Sequence, residues 1–232
     1  MAKQEILVIG ASRGLGLGLV KEYLKRGWNV TATVRDKAKA TELNALAAQH
    51  PGAVTFETVD IDKGDQVAAL AKRLGGKKFD LVFVNAGVSG PQDQAPSKVS
   101  AADVAALFYT NAVAPINVAE KLVDTVKPNS GVLAFMSSRV GSVSEESPGF
   151  MPLYRASKAA LNSMTKSFLA GIKDKPITVL SMHPGWVKTD MGGPDAPVDV
   201  PTSVAGLANV IAKRAGSKKH AFVDFEGADL AW

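Results

Sequence analysis

Seven short apolar segments recur along the chain, most of them separated by stretches of helical length. They have the length of buried strands and lack the apolar–polar alternation of a strand with one face in water. The segments cover residues 5–10, 28–35, 53–61, 79–87, 131–138, 177–185 and 220–225. Helices are predicted over residues 16–27, 37–49, 64–74 and 101–126, around Tyr154, and over 202–214. This alternation predicts an α/β, doubly wound fold, with a seven-stranded parallel sheet and helices on both faces.

The size of the chain fits one domain of this kind. It has 232 residues, and 46% of them are hydrophobic, enough for a substantial core. We find no linker, internal repeat or low-complexity stretch in the sequence. A single domain spanning residues 1–232 is therefore predicted.

Composition and charge argue against several kinds of partner. There is no cysteine and the three histidines lie far apart, so no metal site is expected. The net charge of +5 is spread along the chain rather than clustered, which argues against nucleic-acid binding. No uncharged segment reaches membrane length, so we expect a cytoplasmic protein with no membrane partner.

A glycine-rich loop, GASRGLG at residues 10–16, follows the first predicted strand and opens the first helix. Glycines let the backbone approach a ligand closely, and a helix N-terminus attracts phosphate. At the first strand-to-helix turn, such a loop is typical of a Rossmann-type dinucleotide-binding domain, although a turn that merely packs helix on strand is the alternative. The residues predicted to contact the cofactor are Gly10, Ser12, Arg13, Gly14, Leu15 and Gly16.

The end of the second strand indicates which dinucleotide is bound. An acidic residue there would bind the ribose hydroxyls of NAD, whereas a basic residue accommodates the 2′-phosphate of NADP. The strand ends with Thr33, Val34 and Arg35, and Arg13 of the glycine loop is placed to face the same phosphate. NADP(H) is therefore predicted, the alternative being that both arginines are ordinary surface charges. Asp36 comes one position late for the acidic role and is predicted to cap the next helix.

Tyr154 and Lys158 lie four residues apart in the stretch YRASKAALN. Four residues make about one helical turn, so the phenol and the ammonium share a face. A positive charge near a phenol favours the phenolate, so Lys158 is expected to lower the pKa of Tyr154. The alternative is an ordinary helix with a half-buried tyrosine and a solvated lysine.

These features stand in an order that resembles the short-chain dehydrogenase/reductase family. The glycine loop, NAG after the fourth strand, SS after the fifth and Y-x-x-x-K on the next helix cover nearly the whole chain. The stretches MSSRVGSV and PGWVKTDMGG and the ending LAW resemble the sniffer and C-factor branch of carbonyl-reductase-like members. The resemblance implies NADPH-dependent reduction of an aldehyde, ketone or quinone. A regulatory protein that binds NADP(H) with little turnover is the alternative.

The resemblance also implies catalytic roles. Tyr154 matches the proton donor, Lys158 the residue that tunes it and holds the nicotinamide ribose, and Asn111 the asparagine that helps to hold a water. Ser138 matches the hydroxyl that orients the carbonyl. It lies 16 positions before Tyr154, slightly more than the family's common spacing, so Ser142 is an alternative. Ser138 is preferred because it ends a strand, which fixes it rigidly.

Further contacts follow from the same resemblance. The cofactor is expected to touch Asp60, Ile61, Asn85, Ala86, Gly87, Pro184, Gly185, Val187 and Thr189, besides Tyr154 and Lys158. The substrate is expected to touch Ser138, Tyr154 and three apolar walls, Phe150, Trp186 and Met191. The segment between Met191 and Val204 is short, which predicts an open pocket and broad carbonyl specificity. His183 is interpreted as structural, and the family's habit of pairing through long helices implies a homodimer or homotetramer.

Overall fold

The computed structural model describes residues 3–145 and 149–232, and seven parallel strands of these residues form one sheet. The strands are β1 Glu5–Ile9, β2 Asn29–Val34, β3 Val54–Thr58, β4 Leu81–Val84, β5 Val132–Met136, β6 Thr178–His183 and β7 His220–Asp224. Their order across the sheet is β3-β2-β1-β4-β5-β6-β7. The predicted fold class is therefore confirmed. Residues 146–148, in the segment expected as a loop before the helix of Tyr154, lie outside the described residues.

Helices cover both faces of the sheet. They are α1 Gly14–Lys25, α2 Thr41–Gln49, α3 Gly64–Arg73, α4 Ala101–Phe108, α5 Ala114–Leu122, α6 Pro152–Gly171 and α7 Val200–Arg214. Alternate residues of β1 enter two separate cores, Ile6 on the side of α1 and α7, and Leu7 on the side of α3, α5 and α6. Burial of both faces explains why β1, β4 and β5 read as continuous apolar runs, whereas the edge strand β3 carries exposed Thr55 and Thr58. No helix in the described part of the chain is both long and apolar enough to cross a membrane.

Two predicted helices differ in the structure. The helix predicted over residues 101–126 is divided by a π-helical turn at Tyr109–Val113, just before Pro115, and ends in a 3₁₀ turn at Val123–Thr125. The helix predicted from residue 37 begins only at Thr41. Asp36 does not cap it, because its carboxylate accepts from the N–H of Ala38 at 2.9 Å and forms a local turn instead.

The order of the strands decides where a ligand can bind. From β1 the chain builds outward through β2 and β3, and then returns to the other side of β1 with β4. The connections after β1 and β4 therefore diverge and leave a crevice at the carboxyl ends of these strands. The glycine loop follows β1 and the NAG stretch follows β4, so both border this crevice.

Candidate active site

A cavity of about 790 Å³ lies at the carboxyl ends of the strands. Of the predicted site residues, all line it except Gly16 and Asn111. The structure thus brings together residues from the glycine loop, from the ends of β2, β4, β5 and β6, and from α6. The volume is in the range of cavities that hold cofactors and small ligands.

The glycine loop packs tightly against the end of β4. Gly10 has a φ of +88°, and a Cβ there would lie 2.9 Å from Cα of Ala86. A Cβ on Gly16 would lie 2.0 Å from the carbonyl oxygen of Gly10, which accepts from Nδ2 of Asn85 at 2.7 Å. Gly16 therefore shapes the loop by allowing close packing rather than by lining the cavity.

The start of α1 offers a site for an anion. Its N-cap residue, Arg13, makes no side-chain capping bond, and the first turn contains no acidic residue. The positive end of the helix dipole thus faces the loop without a carboxylate to neutralise it. Arg13 and Arg35 both have exposed side chains and line the same cavity. Nη1 of Arg13 also pairs with Oδ2 of Asp190 at 2.8 Å, which links the glycine loop to the segment after β6.

Tyr154 and Lys158 occupy consecutive turns of α6, as the spacing predicted. Nζ of Lys158 is buried, donates to the carbonyl oxygen of Met136 at 3.0 Å and lies 5.7 Å from the centre of the Tyr154 ring. The reading of Lys158 as a solvated lysine is therefore wrong. Ser138 lies near enough to Tyr154 for its side chain to lower the pKa of the Tyr154 hydroxyl.

The direction of the Tyr154 pKa shift differs from the expectation. Burial raises the pKa of Tyr154 to about 12, and the hydrogen bond to Ser138 opposes this rise without overcoming it. Burial also lowers the pKa of Lys158 to about 8. The shift is therefore opposite in direction to the one expected from the spacing, because burial disfavours the charged phenolate.

Replacing Lys158 by methionine is expected to raise the free energy of unfolding at pH 7 on the order of 2 kcal/mol, because the buried ammonium is destabilising. The pKa of Lys158 is lower in the folded chain than in the unfolded chain. The unfolded chain therefore binds more protons above about pH 8, and the parent protein gains stability as the pH rises from there towards 10.5. Urea unfolding of both proteins near pH 7 and near pH 10 measures the gap, which should shrink at the higher pH.

The control for this comparison is Lys121→Met, which removes an exposed lysine from α5 and should leave the stability nearly unchanged at both pH values. Two results would contradict the prediction. One is a Lys158→Met protein that is less stable than its parent at pH 7, and the other is a difference in the free energy of unfolding that is the same at both pH values.

The two candidate serines have different surroundings. Ser138 lines the cavity and lowers the pKa of the neighbouring Tyr154 hydroxyl. Ser142 is buried, and its hydroxyl accepts from the N–H of Glu145 at 3.2 Å. It does not line the cavity. The geometry thus favours Ser138 for contact with a substrate.

Asn111 lies in the π-helical turn and is fully buried. Its Oδ1 accepts from the N–H of Val88 at 2.8 Å, and its Nδ2 donates to the carbonyl oxygen of Val88 and to Oγ of Ser157. The side chain therefore joins the segment after β4 to helix α6. These bonds occupy its carboxamide and place it behind the cavity wall.

Three apolar side chains stand at the mouth of the cavity, as predicted. Phe150 is 54% exposed, Trp186 56% and Met191 50%. Nε1 of Trp186 donates to the carbonyl oxygen of Gly192 at 2.7 Å, so the indole is held in place while its face meets solvent. A wide, apolar mouth follows from this arrangement.

His183 was not predicted as a site residue, yet it lines the cavity. Its Nδ1 is buried and has no hydrogen-bond partner among the residues that the structure describes. Burial lowers its pKa to about 4, with Arg139 adding to the effect. The signal available in the sequence was its position at the end of β6, directly before Pro184.

Comparison with known proteins agrees with this geometry. A family model described as short chain dehydrogenase matches residues 4–197. The carbonyl reductase from Pseudomonas aeruginosa PAO1, solved in complex with NADP, is 40% identical with a TM-score of 0.93, and the match covers 100% of both chains. The carbonyl reductase Sniffer of D. melanogaster is 33% identical with a TM-score of 0.89, again over 100% of both chains. C-signal of Myxococcus xanthus is 36% identical over 154 residues, 66% of this chain and 92% of C-signal. The resemblance predicted from the sequence is confirmed.

Proposed function

The chain belongs to the short-chain dehydrogenase/reductase family of oxidoreductases, and from this premise we propose that it reduces aldehydes, ketones or quinones with NADPH. One observation carries the proposal. The hydroxyls of Tyr154 and Ser138 meet on one wall of a cavity whose other end holds the glycine loop and two arginines. A reductase needs proton donors for the substrate oxygen beside a site for the hydride donor.

NADP(H) fits the residues at the glycine-loop end of the cavity. The close contacts around Gly10 and Gly16 leave the backbone free to approach a pyrophosphate, and the start of α1 favours its charge. Arg13 and Arg35 are proposed to hold the 2′-phosphate, and Asp60 to contact the adenine. When bound, the cofactor supplies the hydride to the carbonyl carbon.

Tyr154 is proposed to give its hydroxyl proton to the carbonyl oxygen as that oxygen gathers negative charge. A phenol whose pKa is raised to about 12 is protonated near neutral pH, so the hydroxyl carries the proton that reduction requires. Ser138 holds the same oxygen with a second hydroxyl. Lys158 keeps a positive charge near the phenolate that forms, and is proposed to contact the ribose of the cofactor.

The proposal is tested by following NADPH oxidation with a panel of aromatic aldehydes, ketones and quinones. Turnover with members of several classes is expected, because the mouth of the cavity is wide and apolar. Strict selectivity for one small ketone would contradict the expected breadth. Tight NADPH binding without turnover on any carbonyl would favour the regulatory alternative.

Replacing Ser138 by alanine is expected to lower kcat by about tenfold to a hundredfold, because the substrate oxygen loses one of two hydroxyl donors. Ser142→Ala is the matched control, since it removes the same group from a buried position in the same segment that does not line the cavity. Steady-state kinetics of both variants give the comparison. A slow Ser142→Ala beside a fully active Ser138→Ala would reverse the assignment.

A further inference from the structure

Gln94 connects the segment after β4 to the first turn of α6. Its side chain is only 6% exposed, and its Oε1 accepts from the backbone N–H of Tyr154 at 2.9 Å. The two residues are 60 positions apart in the chain. A buried carboxamide thus reaches the main chain of the residue that carries the proposed proton donor.

The orientation of this carboxamide is fixed by its other contacts. Nε2 of Gln94 donates to the carbonyl oxygen of Ser89 at 2.7 Å and to that of Pro91 at 3.3 Å. A flipped amide would set a donor against the N–H of Tyr154 and an acceptor against two carbonyl oxygens. The network therefore permits one orientation, the one that accepts from Tyr154.

Among the residues that the structure describes, no side chain next to the start of α6 has this role. Its N-cap residue, Met151, adopts a left-handed conformation with φ of 50°, and its side chain makes no capping bond. Pro152 opens the helix and has no N–H, so Tyr154 is the third residue of the first turn and carries one of the N–H groups that the helix itself leaves unpaired. Gln94 supplies from a distant segment the acceptor that an N-cap side chain normally provides.

The carbonyl side of Tyr154 is held by a second chain of bonds. Oγ of Ser157 donates to the carbonyl oxygen of Tyr154 at 2.7 Å and accepts from Nδ2 of Asn111 at 3.0 Å. Asn111 in turn bonds both backbone groups of Val88. The segment of residues 88–94 therefore ties the peptide groups on both sides of the Tyr154 side chain.

We propose that Gln94 is a positioning residue for catalysis, which fixes the first turn of α6 so that the Tyr154 hydroxyl meets Ser138 and the substrate oxygen. The inference rests on the proposed function, because it requires that Tyr154 is the proton donor. Placement matters in such a step, since small displacements of a catalytic group cost large factors in rate. The glycine loop and the two arginines, which are proposed to hold the phosphates of the cofactor, lie outside this network, so Gln94 should affect the Kd for NADPH much less than kcat.

The test compares Gln94→Met, Gln94→Glu and Gln92→Met. Methionine keeps the length of the side chain and removes the acceptor, so kcat should fall by about tenfold to a hundredfold while the Kd for NADPH changes only slightly. Gln92 is exposed in the same segment, and its replacement should change neither quantity. Hydrogen exchange of the Tyr154 amide provides a readout without substrate, and it should accelerate in Gln94→Met alone.

Gln94→Glu separates positioning from packing. Its carboxyl group still accepts from the N–H of Tyr154, so the amide should stay protected and kcat should fall less than in Gln94→Met. A buried carboxyl beside two carbonyl oxygens destabilises the fold, so its melting temperature should fall more. If Gln94 served packing alone, kcat and melting temperature would follow the same order, with methionine the milder change.

Two results would overturn the inference: a Gln94→Met enzyme with the kcat of its parent, or a Tyr154 amide equally protected in both proteins. Failure of the proposed function is distinguishable, because the parent itself would then show no turnover on any carbonyl, while hydrogen exchange of the Tyr154 amide would still report whether Gln94 holds the first turn of α6. If Tyr154→Phe is inactive and Gln94→Met is fully active, only the positioning role is wrong.

Discussion

Tyr154→Phe is expected to lower kcat by about a thousandfold, because the substrate oxygen loses the proton donor on which the reduction depends. The change removes a single oxygen atom and keeps the ring, so the packing of the first turn of α6 is preserved. Only Ser138 then faces the developing negative charge. Its hydroxyl stabilises that charge without the proton that would neutralise it.

Steady-state kinetics and NADPH titration of the same samples provide the measurement. The Kd for NADPH should change only slightly, since the glycine loop and the two arginines are unchanged and Tyr154 is one contact among many. The effects of Tyr154→Phe and Ser138→Ala on kcat should not add, because the two hydroxyls act on the same oxygen as one unit. The kcat of the double variant should therefore be little lower than that of Tyr154→Phe alone. An active Tyr154→Phe enzyme would mean that another group donates the proton.

The strands were the most predictable part of the fold. A strand buried on both faces is apolar throughout, so each one stands out in the sequence without reference to its neighbours. β1 illustrates this, since Ile6 and Leu7 enter opposite cores and both must be apolar. The position of the glycine loop after β1 was predictable for the same reason, because it needed only the order of elements along the chain.

Sequence reasoning could not supply the contacts between distant segments. The π-helical turn at Tyr109–Val113 contains Asn111, which bonds Val88 and Ser157. Neither partner is visible in a local window of sequence. Gln94 was missed for the same reason, although the turn-rich segment that holds it was recognised as a loop.

The direction of the Tyr154 pKa shift could not be predicted from the sequence, for a different reason. The spacing correctly placed an ammonium one turn from a phenol, and charge alone then predicted a lowered pKa. Burial is a property of the folded chain, and it raises the pKa of Tyr154 to about 12 while it lowers that of Lys158 to about 8. The prediction that Asp36 caps α2 failed for a related reason. Its carboxylate could serve either a local turn or a helix cap, and in the folded chain it accepts from the N–H of Ala38 in a turn.

The second large effect concerns the choice of cofactor. Replacing both Arg13 and Arg35 by alanine is expected to weaken NADPH binding by roughly a thousandfold, since each guanidinium contributes charge-assisted hydrogen bonds to the 2′-phosphate. NADH lacks this phosphate, so its affinity should hardly change. Fluorescence titration with both cofactors gives the two Kd values for each protein.

The long-range field of the protein must be separated from these direct contacts. Arg73→Ala with Arg214→Ala removes the same charge from two surface ion pairs, those with Glu57 and Asp229, which lie outside the cavity. This control should weaken NADPH binding only slightly, and the small effect should vanish at high salt. Equal losses for the two double variants would show that the arginines at the cavity act only as diffuse charge. Equal affinities of the parent for NADPH and NADH would remove the basis for NADPH preference altogether, because Arg13 would then be engaged with Asp190 rather than with a phosphate.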